Sequence, residues 1–322
     1  MTTPADSRDA AGWADYVALA RPGHWIKHVF ILPGIALAWL LRPHAWPALV
    51  VHVAIGLISA ALLASANYVL NEWLDARSDR HHHSKSERPA VAKRLSPVGV
   101  LLEYLLLAAT GLALAATLSR PYLAISVLLL ISGLLYNVSP VRTKEIPFLD
   151  VVSEAINNPI RLTLGWLMVD PTTLPPGSLL LSYWMGGAFL MALKRLGEYR
   201  SAEQGNRLAA LLEYRRSFQR YTEESLLLSS FLYALLAAFF LAVFLIKYRI
   251  EYLLSLPIFA AVFVLYLQVA LRKDSPVQEP EKLHREPALV VTIVLLAVVL
   301  ILLTWIDLPI LERLTSPHYI EL

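Results

Sequence analysis

The chain holds 322 residues, 57% of them apolar and only 16% charged, with a mean hydropathy of +0.55. A soluble domain of this size would not carry so few charges, so the composition predicts an all-α, polytopic membrane protein. The lack of cysteine excludes disulfides, thiolate metal sites and a cysteine nucleophile, and a net charge of only +3 gives no reason to expect a nucleic-acid partner.

Residues 1–24 read as a polar tail leading into an interfacial helix, on which Trp13, Tyr16, Val17 and Ala20 share one face. This stretch has neither an apolar core nor a small-residue cleavage site, so no signal peptide is expected. Residues 25–308 read as one transmembrane domain of about nine helices joined by cytoplasmic cap loops and helices. The apolar runs lie near 27–41, 46–70, 97–118, 121–138, 147–169, 177–194, 225–247, 251–271 and 287–306. Residues 309–322 are expected to form an extracytoplasmic tail. Loops 71–95, 139–146, 194–224 and 272–286 hold nineteen Lys and Arg, against five in the loops between them and the tail. This bias predicts a multi-pass protein of the inner (cytoplasmic) membrane, with the amino terminus and motif loops in the cytoplasm and the carboxy terminus outside.

The densest chemistry lies at 71–89, directly after an apolar run. On a helix Glu72, Asp75 and Asp79 fall at i, i+3 and i+7, within roughly 60° of one another. Three carboxylates on one face repel unless a cation sits among them, and hard oxygen ligands that keep some waters suit Mg²⁺ bridging to a substrate phosphate. Lys85 and Arg88 follow with charge for a diphosphate. The run His81-His82-His83 is not read as a zinc site, because adjacent helical histidines point apart.

A second polar cluster, Asp150, Glu154, Asn157, Asn158 and Arg161, sits inside the fifth apolar run. On one helix it would cover an arc of about 100° and climb about 16 Å. Ionisable groups at such depth cost at least ~2.5 kcal/mol each and normally face a polar cavity. Mutual neutralisation in a structural network is the alternative. Pro159 is expected to kink this helix. Further on, Lys194 and Glu198 stand at i, i+4 at the end of the sixth run, and Leu208, Leu211, Leu212, Arg215 and Phe218 predict an amphipathic helix over the cytoplasmic mouth.

The series Asn71, Glu72, Asp75, Asp79, His82, Lys85, Arg88 and Pro89 resembles the first Asp-rich motif of the UbiA superfamily of intramembrane transferases, with Glu72 and His83 departing from the usual Asp and Pro. Tyr136, Arg142 and Lys144, followed by Asp150 and Glu154, resemble its second motif. The segment Lys194-Arg195-Leu196-Gly197-Glu198 and the opening Arg21-Pro22-Gly23-His24-Trp25-Ile26-Lys27-His28 resemble elements of the decaprenyl-phosphate phosphoribosyltransferase branch, His28 standing where Asn is usual there.

The resemblance implies Mg²⁺ on Glu72, Asp75 and Asp79, with Asp75, Asp79, Asp150 and Glu154 at the reacting centre. It implies substrate binding by Lys27, Asn67, Asn71, His82, Lys85, Arg88, Tyr136, Arg142, Lys144, Asn158, Arg161, Lys194, Arg195 and Glu198. The expected substrates are a polyprenyl lipid and a diphosphate-containing donor. The leading expectation is transfer of 5-phosphoribosyl from phosphoribosyl pyrophosphate to a polyprenyl phosphate. The alternatives are prenyl transfer from a polyprenyl diphosphate to an aromatic or other small acceptor, and a lipid carrier or transporter without chemistry.

Overall fold

The computed structural model describes residues 9–42, 46–80, 87–205, 207–272, 275–278 and 280–315. Its regular elements among these residues are all helices; an isolated bridge joins Ala10 to Arg94. In chain order the helices are α1 (Trp13–Leu19), α2 (Leu32–Leu41), α3 (Trp46–Asp79), α4 (Pro89–Ala92), α5 (Pro97–Leu118), α6 (Arg120–Asn137), α7 (Leu149–Ala155), α8 (Asn157–Val169), α9 (Gly177–Gln204), α10 (Leu208–Tyr214), α11 (Glu223–Tyr248), α12 (Leu256–Ala270), α13 (Pro287–Trp305) and α14 (Pro309–Thr315). Single 3-10 turns and segments connect several of them, including Pro22–Ile31 and Thr143–Glu145.

Each of the nine apolar runs is helical. Six helices are long and apolar enough to cross a membrane, or up to seven if the bent pair Trp13–Trp25 and His28–Leu41 counts as one span. The protein is a multi-pass integral membrane protein. The fifth run is a broken helix: α7 and α8 hold 7 and 13 residues, and the chain turns between them at Ile156. The break precedes Pro159, which lacks the N–H that a continuous helix would need there. The sixth run extends past its predicted end at residue 194 to Gln204, so Lys194 and Arg195 lie within a helix rather than at its terminus. The amphipathic helix predicted over 208–218 is α10 followed by the 3-10 turn Arg216–Arg220; the backbone extends at Arg215 between them.

Two compact units divide the chain: residues 1–175 with 202–225, and residues 176–201 with 226–322. In the first, α3 packs along α5 and α6 through small residues, among them Ala60, Ala66, Ala108 and Ala115. Small side chains let membrane helices approach closely enough for polar groups to meet backbone. Ser59 Oγ donates to the Gly111 carbonyl at 2.7 Å and Tyr122 Oη to that of Gly56 at 2.8 Å. The α2–α8 crossing is tighter still: a Cβ on Gly34 would lie 2.0 Å from the Leu162 carbonyl oxygen, and one on Gly165 2.3 Å from that of Ile31. Beyond α8, Arg42 donates to Asp170 at 2.8 Å, and Thr172 and Thr173 hydroxyls also bind that carboxylate. These donors outweigh burial, which alone would raise it, and hold the Asp170 carboxyl below the usual range. The short helix α1 buries Leu19 against Val69, Ala90 and Val100 and leaves Trp13 81% exposed.

In the second unit, Phe189 of α9 stacks near Phe263 of α12 at 4.9 Å, and Ser182 Oγ donates to the Ala237 carbonyl of α11 at 2.9 Å. The exposed apolar residues of α13, including Val291, Val294 and Leu302, form the surface a lipid solvent demands.

Candidate active site

The lower end of α3 carries Glu72, Asp75 and Asp79 into the first unit, all buried. Each carboxylate meets its own cation. Arg21 Nε donates to Glu72 Oε2 at 2.7 Å, and Arg88 Nη1 to Asp79 Oδ2 at 2.6 Å. Asp75 Oδ1 accepts from Lys144 Nζ at 2.5 Å and Arg142 Nη2 at 3.0 Å. The spacing that puts the three on one face also spreads them over about 10 Å of helix axis. Among the described residues no three His, Asp or Glu groups converge as a metal cage.

Two oxygens nonetheless have unspent lone pairs. Glu72 Oε1 and Asp79 Oδ1 are buried without a hydrogen-bond partner. Hard, anionic, unsatisfied oxygens on one helix face are a donor set that fits a divalent cation retaining waters, as Mg²⁺ does.

The connection from α6 to α7 supplies the cations. Arg142 adopts the left-handed region at φ 33°, which a side chain normally avoids, and its fork spends every nitrogen: Nε on Glu145, Nη1 on the Asn137 carbonyl, Nη2 on Asp75. Lys144 is 3% exposed; burial pulls its ammonium down to about 8, against the opposing pull of Asp75. Asn137 Oδ1 accepts from both Lys144 Nζ at 2.8 Å and Asn71 Nδ2 at 2.5 Å, tying α3 to α6. With Ser78, Glu145, Tyr214 and Arg215, the residues Asp75, Arg142 and Lys144 line a small polar cleft.

The second cluster is arranged differently from the one-faced helix expected. Asp150 is fully buried on α7 and accepts from Tyr221 Oη and from Ser217 Oγ at 3.2 Å, with Arg215 Nη1 at 3.7 Å. Glu154 accepts from Tyr136 Oη at 2.7 Å. Protein hydroxyls therefore satisfy oxygens of this pair that the first cluster leaves open. Asn157 accepts from Ser132 and donates to the Glu154 carbonyl, bracing the break between α7 and α8. Arg161 Nε and both ring nitrogens of His28 are buried without a partner.

Further residues expected at the site lie on α3, α8 and α9. Asn67 packs on Gly133 and its Nδ2 donates to the Leu129 carbonyl at 3.0 Å, while its Oδ1 is buried without a partner. Arg195, 3% exposed, pairs with Glu198 at 3.1 Å within α9 of the second unit. Lys194 is half-buried on the same helix, and Asn158 on α8. His82 and Lys85 lie outside the described residues, as does the side chain of Lys27. Arg21, Asn137, Arg215, Ser217 and Tyr221 enter the site without having been singled out for it. Arg21 opens the Arg-Pro segment and so carried a signal, whereas Tyr221 meets Asp150 across 71 residues with no spacing to reveal it.

Residues 29–285 match the model of the UbiA prenyltransferase family. The chain belongs to that family. Its relatives include a protoheme IX farnesyltransferase of Alkalihalophilus pseudofirmus, 29% identical over 59% of this chain and 62% of the relative. A decaprenyl-phosphate phosphoribosyltransferase of Mycobacterium tuberculosis is 30% identical over 65% of this chain and 66% of the relative. The chain spans between 29% and 66% of the length of the curated relatives it matches. Among solved structures, a UbiA homolog from Archaeoglobus fulgidus bound to GPP and Mg²⁺ superposes with a TM-score of 0.67 at 21% identity, over 90% of this chain and 99% of that one.

Proposed function

We propose that this protein is a Mg²⁺-dependent transferase that displaces diphosphate from its donor, moving 5-phosphoribosyl from phosphoribosyl pyrophosphate to a polyprenyl phosphate. The observation that carries the transferase reading is the cleft where Asp75 meets Lys144 and Arg142 beside the unsatisfied oxygens of Glu72 and Asp79. The solved family member with GPP and Mg²⁺ supports the metal, and the mycobacterial relative with the Lys194–Glu198 motif supports the ribosyl donor.

Mg²⁺, when bound, supplies Lewis acidity to the departing diphosphate. Glu72 and Asp79 would hold it, with Asp75 directly or through water. Arg21 aims the Glu72 carboxylate by binding Oε2, leaving Oε1 open. Arg142 and Lys144, poised on Asp75, would transfer N–H bonds to phosphate oxygens as charge builds there, joined by Arg88 and, in the loop after α3, by His82 and Lys85. Arg161 would take a further phosphate. Asp150 or Glu154, through the hydroxyls they order, would position the ribose or a second metal. The C1–O bond to diphosphate breaks as an acceptor phosphate oxygen bonds to C1; that oxygen is already anionic, so no general base is required.

Lys194 and Arg195 are assigned to the donor's 5-phosphate on their motif. Lys194→Ala would then cut transfer from the ribosyl donor more than about tenfold, the loss of one charge-assisted contact; an unchanged rate would remove that role. The positive-inside bias orients the amino terminus and site to the cytoplasm of the inner membrane.

The second reading, prenyl transfer to an aromatic or other small acceptor, is favoured by the farnesyltransferase relative and the prenyl diphosphates bound in structural neighbours. Purified protein incubated with Mg²⁺, labelled phosphoribosyl pyrophosphate and a polyprenyl phosphate separates the two. Label that reaches the lipid phase and stops doing so with EDTA supports ribosyl transfer. Failure, in protein that prenylates an aromatic acid, selects the second reading.

A further inference from the structure

His28 and Arg161 stand where the 3-10 segment Pro22–Ile31 and α8 approach each other most closely. His28 precedes Ile31 by three residues, Arg161 adjoins Leu162, and Ile31 and Leu162 are the residues whose carbonyls meet Gly165 and Gly34. The Arg161 charge bears directly on the His28 imidazole. Yet neither side chain is spent: His28 Nδ1 and Nε2 and Arg161 Nε are all buried without a hydrogen-bond partner.

In either tautomer one imidazole N–H is left over, as is the guanidinium Nε–H. Buried donors without acceptors are uncommon in folded proteins, and each of these two basic groups brings one. The hydrogen bonds of the site carboxylates go elsewhere. Glu72 is held by Arg21, Asp75 by Lys144 and Arg142, Asp79 by Arg88, Asp150 by Tyr221 and Ser217, and Glu154 by Tyr136. The missing complement must accept N–H bonds and carry negative charge, which is the description of an oxyanion. A phosphate monoester brings nearly two charges and three acceptor oxygens, a closer match to two basic groups than a carboxylate. The setting, among membrane-spanning helices, fits an anion delivered on an apolar chain.

We propose that His28 and Arg161 form a second anion seat, apart from the diphosphate seat on α3 and α6, that receives the phosphate of the acceptor lipid. The seat rests on the reading of the acceptor as a polyprenyl phosphate. It makes these two residues determinants of acceptor choice, with no part in activating the donor.

The test compares farnesyl phosphate with farnesol as stabilisers of the full-length protein in detergent, with EDTA present to silence the metal seat. Farnesyl phosphate is expected to raise the unfolding midpoint more than farnesol in the parent. That excess should vanish in His28→Leu and Arg161→Met and return in part in His28→Asn, which keeps a hydrogen-bonding side chain. In the transfer assay the acceptor KM should rise about tenfold or more in both variants while the donor KM holds, as expected for loss of a hydrogen bond to a charged group. An equal shift from both ligands in the parent, or an excess that survives both substitutions, overturns the seat. So does protection by 4-hydroxybenzoate that depends on these residues while that by farnesyl phosphate does not. Binding of farnesyl phosphate through His28 and Arg161 without any ribosyl transfer overturns the proposed reaction alone. Transfer whose acceptor KM ignores both substitutions overturns the seat alone.

Discussion

Glu72 and Asp79 differ from Asp150 and Glu154 in one respect that decides their use. The first pair keeps buried oxygens that no protein donor reaches, while tyrosine hydroxyls bind the second. A metal ligand needs an available lone pair, so the first pair is the stronger candidate. Asp79→Asn should therefore raise the Mg²⁺ concentration for half-maximal transfer by about tenfold or more, the scale seen when metal sites lose supporting groups. Tyr136→Phe should leave that concentration unchanged while lowering the rate; a Mg²⁺ titration of both variants decides it. A second expectation concerns Asp75. Its replacement by Asn strands the Lys144 ammonium and leaves Arg142 only Glu145 as a charged partner, and breaking a buried pair on one side costs about 3–5 kcal/mol. Asp75→Asn should consequently lower the thermal unfolding midpoint as well as the rate. At this scale the acidic motif and Arg142, Lys144 and Arg88 were legible because helical spacing and local sequence carry them. Arg21 and Tyr221 were not, since each reaches its carboxylate from a distant segment, 51 and 71 residues away.

Among the elements, α8 shows how far hydropathy can be trusted. The run 147–169 is apolar enough to read as one span, but Pro159 and the Asn157–Asn158 pair split it, and the turn at Ile156 gives Asp150 and Glu154 a helix of their own. The polar arc expected over the whole run therefore divides between a cap-loop anchor on α7 and the Arg161 face of α8. Glycines fix where α8 lies. Gly165→Ala would push a methyl to 2.3 Å from the Ile31 carbonyl oxygen, and neither backbone can yield without parting α2 from α8. Overpacking of this kind typically costs 1–3 kcal/mol. The variant should unfold at lower temperature in detergent, whereas Gly177→Ala, with open space around it, should match the parent. The far end of α8 gives a pH-dependent counterpart. Asp170 has a folded-state carboxyl held below its ordinary range by Thr172, Thr173 and Arg42, so its contribution is complete above about pH 4 and fades as pH falls further. Asp170→Asn should be less stable than the parent at pH 6, with the gap narrowing by pH 3.5 in paired thermal melts.

For the molecule as a whole, the nine apolar runs all become helix, because in a bilayer the backbone must satisfy its own hydrogen bonds within each segment. The count of clean spans is lower, at six or up to seven, because α2, α7 and α8 are short and α9, though 28 residues long, is not apolar enough. The proposed orientation rests on charge alone. Nineteen Lys and Arg lie in the motif loops against five opposite, and each cation moved across a membrane meets both the translocation barrier and the transmembrane field. The chemistry points the same way: charged diphosphate donors are cytoplasmic solutes, and the cleft of Asp75, Arg142 and Lys144 joins the loops that carry the positive excess. Alkaline phosphatase fused after residue 308 should be active and a fluorescent protein there dark, while fusions within 139–146 should give the reverse. A bright fluorescent fusion at the carboxy terminus would require an even number of crossings, and one of the short helices would then be re-entrant rather than spanning.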